Sequence, residues 1–402
     1  MNKKSSRTVI ALVMVISLFF LWAISNNLLS SVVKKMMTLF DIDQAKAEFV
    51  ETSYWFAYFL FPIPIAMFMK RYSYKAGIVL GLIIAAIGAL LFLPVTQSNS
   101  FPLYLCAFFI VAIGMCFLET AANPYVTELG DPATAPRRLN LAQAFNGLGA
   151  FIAAMFLSKL LLVDSESADP GTEIHTFRMT YTIFAIVLLF IAVVFIFTKL
   201  PRIQAEDEDS GATKLISFNV MKRSHLRNGV IAQFFYNGGQ TAVNSLFLVY
   251  CINYVGMDNG RATTLFGLYM LCFLLGRWIG TTLMVKFRPQ DLLVIYAVAN
   301  VILCLVVCLA GGMTAVYAMM GISFFMSIMY PTQFSLAIVD LKGETKSGSA
   351  FLVMAIVGNS ILPLVTAYVQ KSLSNPGISY LIPMVCFAVC AWYGWKGHKV
   401  VD

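Results

Sequence analysis

Charged side chains are scarce in this sequence of 402 residues: they make up 12% of it, whereas hydrophobic residues make up 59%. Soluble globular domains have about 25% charged and about 45–50% apolar residues. The shortage of charge therefore excludes an ordinary soluble domain and indicates a protein that crosses a lipid bilayer several times. The net charge of +8 comes from basic residues scattered through short loops, so no basic domain is present to follow a nucleic acid.

Metal-binding and catalytic patterns are also missing. The three histidines, His175, His225 and His398, all fall in predicted loops, and no predicted span carries paired carboxylates. The eight cysteines form no CxxC pair and lie mostly within apolar runs, where cysteine is a small core residue. We therefore expect no metal, no cofactor and no enzyme activity. Rings of charge and filter-like motifs are absent too, which disfavours a channel.

Long uncharged runs dominate the remaining sequence. Because backbone polar groups inside a bilayer must be hydrogen-bonded internally, runs of about 20 apolar residues predict spanning α-helices. The predicted spans are Thr8–Val33, Phe49–Met69, Ala76–Gln97, Phe101–Leu129, Leu139–Ser158, Met179–Thr198, Asn228–Tyr254, Ala262–Val285, Leu292–Leu309, Met313–Val339, Ser347–Gln370 and Gly377–Trp395. They predict an all-α integral membrane protein with an N-terminal six-helix bundle (1–199), a polar linker (200–227) and a C-terminal six-helix bundle (228–402).

Lysine and arginine are concentrated in alternate loops, which sets the expected orientation. The basic set includes the N-terminal segment, the linker and the C-terminal segment, so the positive-inside rule predicts that both termini and the linker are cytoplasmic. The first apolar run is too long for a signal peptide and is read as the first spanning helix.

The two halves also show a weak internal repeat. Asn123-Pro124 precedes a polar loop and the fifth span, and Tyr330-Pro331 precedes a polar loop and the eleventh span. Together with the six-plus-six count, this favours two parallel repeats about an axis along the membrane normal, the arrangement of the major facilitator superfamily. A substrate is then expected near the bilayer midplane, between the halves.

Polar side chains at helical spacing predict the walls of that cavity. Carboxamides offer donors and acceptors without a buried charge, which suits a polyhydroxylated neutral ligand. The alternative for each single amide is a hydrogen bond that joins two helices. The candidate substrate-binding residues are Asn26, Asn27, Asn123, Gln143, Asn146, Gln233, Asn237, Gln240 and Asn244.

Two charged residues lie deep within predicted spans. Glu119 follows the uncharged run Ala76–Leu118, and an ionisable group inside a membrane is a functional hypothesis by default. Removal from water favours the protonated form of a carboxyl group, so Glu119 is the candidate for proton coupling; the alternative is a structural carboxylate that bridges helices. Arg277 is too deep to reach water easily and has no deep acid in its own half. Its candidate partners are backbone carbonyls, a substrate, or Glu119 across the cavity.

Several strings resemble one known family. The most specific are LETAANPY (118–125) and RLNLAQAFN (138–146), and weaker matches are FFLW (19–22) with NN (26–27), PIP (62–64), SYKAG (73–77), AQF (232–234), GR (276–277) and YPT (330–332). Over nearly the whole chain the sequence is similar to the fucose–galactose–glucose:proton symporter family of the major facilitator superfamily. The resemblance implies monosaccharide uptake driven by protons in a bacterial inner membrane, with Glu119 as the protonatable acid and Asn146 in the cavity. The expected partners are a sugar, protons and the lipid bilayer, and we expect a monomer.

One position departs from the family pattern. Fucose-transporting members have a second acid in the first span, at the end of an NNLND string, whereas this chain reads NNLLS at 26–30. Because Ser30 cannot carry a proton, a coupling scheme with two carboxylates is not available there. The alternatives are coupling by Glu119 alone, substitution by Glu51, coupling to sodium, or no coupling, and the sugar itself is not specified.

Overall fold

The computed structural model describes residues 10–25, 53–98, 100–152, 170–201, 216–372 and 376–400, and these residues form helices with no strand among them. Asn26, Asn27, Ser30 and Glu51 lie outside the described residues. In chain order the main helices are α1 Ile10–Ser25, α2 53–71 (its second part Pro62–Arg71), α3 Tyr74–Ser98, α4 Phe101–Glu128, α5 Ala135–Ile152, α6 Pro170–Phe197, α7 Ser224–Asn253, α8 Asn259–Leu283, α9 Pro289–Ala310, α10 Gly312–Met326 and Met329–Ala337, α11 Thr345–Met354 and Gly358–Ser372, and α12 Leu381–Trp392. Within these residues, 8 helices are long and apolar enough to cross a membrane by length and composition alone.

The same helix pairings occur in both halves. In the first half, α3 packs along α4 and α6; in the second, α9 packs along α10 and α12. Two copies of one topology produce this correspondence, because α3 and α9 occupy the same place in their repeats.

Close helix contacts next to the interior also recur. A Cβ added at Gly149 of α5 would lie 2.6 Å from the carbonyl oxygen of Phe20 on α1, and one added at Gly358 of α11 would lie 2.2 Å from that of Phe234 on α7. Glycine is required at both places because the two backbones are in contact. These contacts bring the amide-bearing faces of α5 and α7 toward the interface between the halves.

The halves meet through equivalent helix pairs. The helix α5 packs on α8, and α11 packs on α2 and α4, while the second part of α10 contacts α5. We call the end of the molecule at which α4, α6 and α10 finish and α5, α7 and α11 begin the linker side.

Four expectations from the sequence are corrected, one of them the continuous span Ser347–Gln370, which a 3-10 turn at Ala355–Val357 divides. The predicted continuous span Met313–Val339 is interrupted between Met326 and Met329. Its cause is Pro331, which has no N–H for the helix. His175 and His225 were expected in loops, but they lie near the starts of α6 and α7, because both helices extend beyond their apolar runs.

Candidate functional site

A cavity of about 250 Å³ lies between the two halves. Side chains from α1, α2, α4 and α5 form one wall, and side chains from α7, α8, α10 and α11 form the other. Its polar lining consists of Glu119, Gln143, Asn146, Asn237, Gln240, Thr241, Asn244, Arg277, Tyr330 and Asn359, and its main apolar and aromatic lining consists of Trp22, Trp55, Phe151, Met270, Phe273 and Ile356. Small-molecule pockets typically combine such apolar surface with a few convergent polar groups.

Glu119 is buried in α4, with 4% of its surface exposed. Its Oε1 accepts a hydrogen bond of 2.6 Å from the hydroxyl of Tyr330, which belongs to α10 in the opposite half. Its Oε2 is buried and has no hydrogen-bond partner among the described residues. The carboxyl group is therefore held on one oxygen by the other half, and the other oxygen is available to a proton or a ligand.

Asn123 completes this junction. Its Nδ2 donates to the Tyr330 hydroxyl at 3.2 Å, which leaves the hydroxyl proton for Glu119. Asn123 and Tyr330 are the two residues that precede a proline in the internal repeat, so positions related by the repeat meet at the interface between the halves. Gln143 of α5 extends the chain of contacts, since its Nε2 lies 3.5 Å from Asn123 Oδ1.

The amides of α7 divide into two groups. Asn237, Gln240 and Asn244 line the cavity. Gln233 is fully buried behind them, and its Nε2 donates to the backbone oxygen of Tyr330 at 2.8 Å. Helix–helix bonding, the alternative reading of a single amide, therefore describes the contact that Gln233 makes.

Arg277 of α8 is buried, with 4% of its surface exposed, and it forms no salt bridge with Glu119. Its Nε donates to the backbone oxygen of Ser327 and its Nη1 to that of Gln143, both at 2.7 Å. The guanidinium carbon lies 4.5 Å from the centre of the Phe273 ring. Of the partners considered for Arg277 from the sequence, the structure contains carbonyl groups from both halves.

A comparison with protein families accounts for this architecture. The model described as Major Facilitator Superfamily matches residues 13–367. The chain belongs to the major facilitator superfamily.

Individual relatives narrow the family. The L-fucose-proton symporter of Escherichia coli (strain K12) is 37% identical over an alignment covering 96% of this chain and 92% of the relative. The glucose/galactose transporter of Brucella abortus biovar 1 (strain 9-941) is 34% identical, with 95% and 92% covered. A crystal structure of the superfamily transporter FucP in the outward conformation has a TM-score of 0.89 at 37% identity, covering 98% of this chain and 100% of that chain. These matches place the chain in the fucose–galactose–glucose:proton symporter family, and its fold is that of an all-α membrane protein with twelve spanning helices in two six-helix bundles.

Most of the residues that were predicted for the site lie at the cavity. Glu119, Gln143, Asn146, Asn237, Gln240, Asn244 and Arg277 line it, whereas Asn123 and Gln233 lie behind it. Asn26 and Asn27 fall outside the described residues.

Tyr330, Thr241 and Asn359 also line the cavity but were not predicted as lining residues from the sequence. Thr241 Oγ1 of α7 donates to Asn359 Oδ1 of α11 at 2.7 Å. For Tyr330 a signal existed, namely its place before Pro331 in the internal repeat.

Below the cavity, the halves are joined on the linker side. Asn140 Nδ2 donates to Thr332 Oγ1 at 3.0 Å, and Lys70 Nζ lies 3.4 Å from Glu344 Oε2. Thr345 Oγ1 donates to Glu128 at 3.2 Å. All three contacts lie nearer the linker side than Glu119, so this arrangement closes the cavity from that side.

Proposed function

We propose that this protein is a secondary transporter that imports a monosaccharide or related neutral sugar together with protons by alternating access. The observation that carries the proposal is Glu119, a buried carboxyl group that faces a cavity between the two halves and is bonded to Tyr330 of the opposite half. Two relatives, an L-fucose-proton symporter and a glucose/galactose transporter, support the same activity.

The proposed mechanism uses Glu119 as the proton carrier. A carboxylate is costly to keep in a closed, water-poor cavity, whereas the protonated group is not. Proton binding at Oε2 lowers the cost of closing the cavity around the sugar. The cavity amides then bind hydroxyl groups, and the two halves rock about the site near the midplane.

The proposed setting is the inner membrane of a bacterium, with both termini and the linker in the cytoplasm. The linker side is then the cytoplasmic side, and the contacts of Asn140, Lys70 and Glu128 close the cavity toward the cytoplasm. We propose that the working unit is a monomer, since each half of a single chain supplies one wall of the cavity.

The test is transport in proteoliposomes with a panel of radiolabelled sugars at two pH values, with either a proton gradient or a sodium gradient imposed. We expect saturable uptake that follows the proton gradient. Uptake that follows sodium, or only dissipates the sugar gradient, would support a sodium-coupled or uncoupled carrier, the alternative raised by Ser30.

Glu119→Gln tests the proposed proton carrier itself. We expect sugar-driven proton uptake to be abolished while sugar counterflow is partly retained, because the amide keeps an acceptor for Tyr330 but cannot exchange a proton. Asp291→Asn, at an exposed acid in the first turn of α9, is the matched control. Undiminished proton uptake by the Glu119→Gln variant refutes the assignment.

A further inference from the structure

The interruption of α10 leaves a backbone carbonyl without a partner in its own helix. In an α-helix the oxygen of Ser327 would accept from the residue four positions later, which is Pro331 and has no N–H. The backbone departs from regular helix here, since Ile328 has φ −94° and ψ −6°. A buried carbonyl without a donor is unfavourable, so neighbouring groups must supply one.

Side chains from two other helices donate hydrogen bonds to backbone carbonyl oxygens at the interruption. Arg277 Nε of α8 donates to Ser327 O at 2.7 Å, and the Tyr236 hydroxyl of α7 donates to Met326 O at 2.9 Å. Arg277 thus provides the donor that Pro331 removes.

The same guanidinium group also contacts the opposite half. Its Nη1 donates to Gln143 O of α5 at 2.7 Å, and its face lies on Phe273. Arginine suits this place because its planar group directs several N–H bonds along fixed directions, whereas lysine carries a single compact ammonium. With no salt bridge to it in the described part of the chain, the charge is stabilised by these carbonyl dipoles and by the ring.

Tyr330 lies at the end of the interrupted segment of α10. It lies three residues after Ser327, its backbone oxygen accepts from Gln233, and its hydroxyl donates to Glu119. The short segment 327–330 is therefore connected to the N-terminal half by two routes, one through Arg277 and one through its own tyrosine.

We propose that Arg277 is a positioning residue for proton coupling: it holds the interruption of α10 against α5, so that the Tyr330 hydroxyl reaches Glu119. When the halves separate on the linker side, Arg277 releases Gln143 O, and Tyr330 withdraws from the carboxyl group. Sugar-linked movement thereby changes the hydrogen bonding of the proton carrier. This inference rests on the proposed function, because it assigns Arg277 a part in proton coupling.

The first experiment is a double-mutant cycle in proteoliposomes. We expect Arg277→Gln and Tyr330→Phe each to reduce sugar-driven proton uptake by about tenfold, the usual consequence of losing a hydrogen bond to a charged group. The double variant should be no worse than Tyr330→Phe alone, because both changes act on one contact. Arg261→Gln, at an exposed arginine in the first turn of the same helix, should behave like the wild type.

The pH profile of sugar counterflow separates positioning from a general structural role. A carboxyl group that loses a donor to its ionised form binds a proton more readily. Arg277→Gln and Tyr330→Phe should therefore move the midpoint of the profile toward higher pH, and Arg261→Gln should not. Arg277→Lys should show a smaller shift than Arg277→Gln without returning fully to the wild-type profile, because lysine keeps the charge but lacks the second directed N–H.

Pro331→Ala tests the same idea without removing a charge. It returns an N–H to position 331, which competes with Arg277 for Ser327 O, and we expect proton uptake to fall while the protein remains folded by gel filtration. This variant carries the test if Arg277→Gln does not fold. The inference about Arg277 is overturned by any of three results: additive effects in the cycle, a wild-type pH profile in Arg277→Lys, or normal coupling in Pro331→Ala. None of these results affects the proposed function. The proposed function is overturned as well if the wild type shows no sugar-driven proton uptake.

Discussion

At the scale of single residues, the molecule places its most costly groups where the two halves meet. Glu119 and Arg277 are both buried at the cavity, and each makes a hydrogen bond to the opposite half but no salt bridge with the other. A direct salt bridge between them would be expensive to break during a transport cycle, since separating a buried pair leaves two uncompensated charges. Hydrogen bonds to a hydroxyl and a carbonyl cost less to exchange.

His225 provides a residue-scale prediction about pH. It precedes the predicted span Asn228–Tyr254, is 1% exposed, and its Nε2 lies 2.9 Å from the backbone oxygen of Val339. Burial lowers the pKa of His225 below its ordinary value, because the charged ring loses hydration. The folded state thus prefers neutral histidine, and this contribution to stability is complete above about pH 6.5 and is lost as the pH falls through the folded-state pKa.

We expect the melting temperature in detergent to fall between pH 7.5 and 5.5, and the fall to be smaller in His225→Gln. The control is His175→Gln, at an exposed histidine in α6. An unchanged slope in the His225 variant contradicts the prediction.

At the scale of helices, the contacts depend on a few positions without side chains. The repeated contacts of α5 with α1 and of α11 with α7 require glycine because backbone atoms meet there. Helix association in a bilayer relies on such close packing, since lipid tails are as apolar as the helix surfaces. Proline acts in the opposite way in α10, where it removes a backbone donor and makes other helices supply one.

The contact at Gly358 gives a prediction about helix packing, and Gly267 provides a control position at which alanine should not lower stability. Gly358→Ala would place a methyl group 2.2 Å from Phe234 O, so α7 and α11 must separate and we expect a lower melting temperature. Gly267 in α8 has nothing within 4 Å of an added Cβ. There we expect Gly267→Ala to leave stability unchanged or raise it by up to about 1 kcal/mol through helix propensity. Equal effects of the two substitutions would refute the packing argument.

At the scale of the whole molecule, the two halves are closed toward the linker side by polar contacts that sit outside the cavity. The Lys70–Glu344 pair connects α2 with the segment before α11, and the Glu344 side chain is 35% exposed. The Lys70 side chain is only 2% exposed, so this pair is screened less by water and salt than a surface ion pair, which contributes about 0–1 kcal/mol.

Glu344→Lys should therefore favour the form that is open on the linker side. We expect a shift of about fivefold or more in the ratio of the two forms, because the pair is partly buried, and recovery in the double variant Lys70→Glu/Glu344→Lys, which restores opposite charges. Spin labels at the exposed residues Arg137 and Lys286, one in each half, report the change as a longer distance. Failure of the double variant to recover would show that the contact acts by something other than charge.

Features that depend on local composition could be predicted from the amino-acid sequence. Apolar runs predict membrane spans because unpaired backbone groups cannot lie in lipid, and Glu119 was identifiable because a charge in such a run is costly. Motif likeness then indicated the family, which the comparisons confirmed.

The tertiary structure alone decided which side chains meet. Tyr330 reaches Glu119, and Arg277 replaces the donor that Pro331 lacks, only because α4, α8 and α10 converge between the halves. A periodicity in sequence gives the face on which a residue lies, but helix packing distance and the interruption of α10 set its partner. The physical reason is that a hydrogen bond depends on positions to within a few tenths of an ångström, which arise from the packing of twelve helices together.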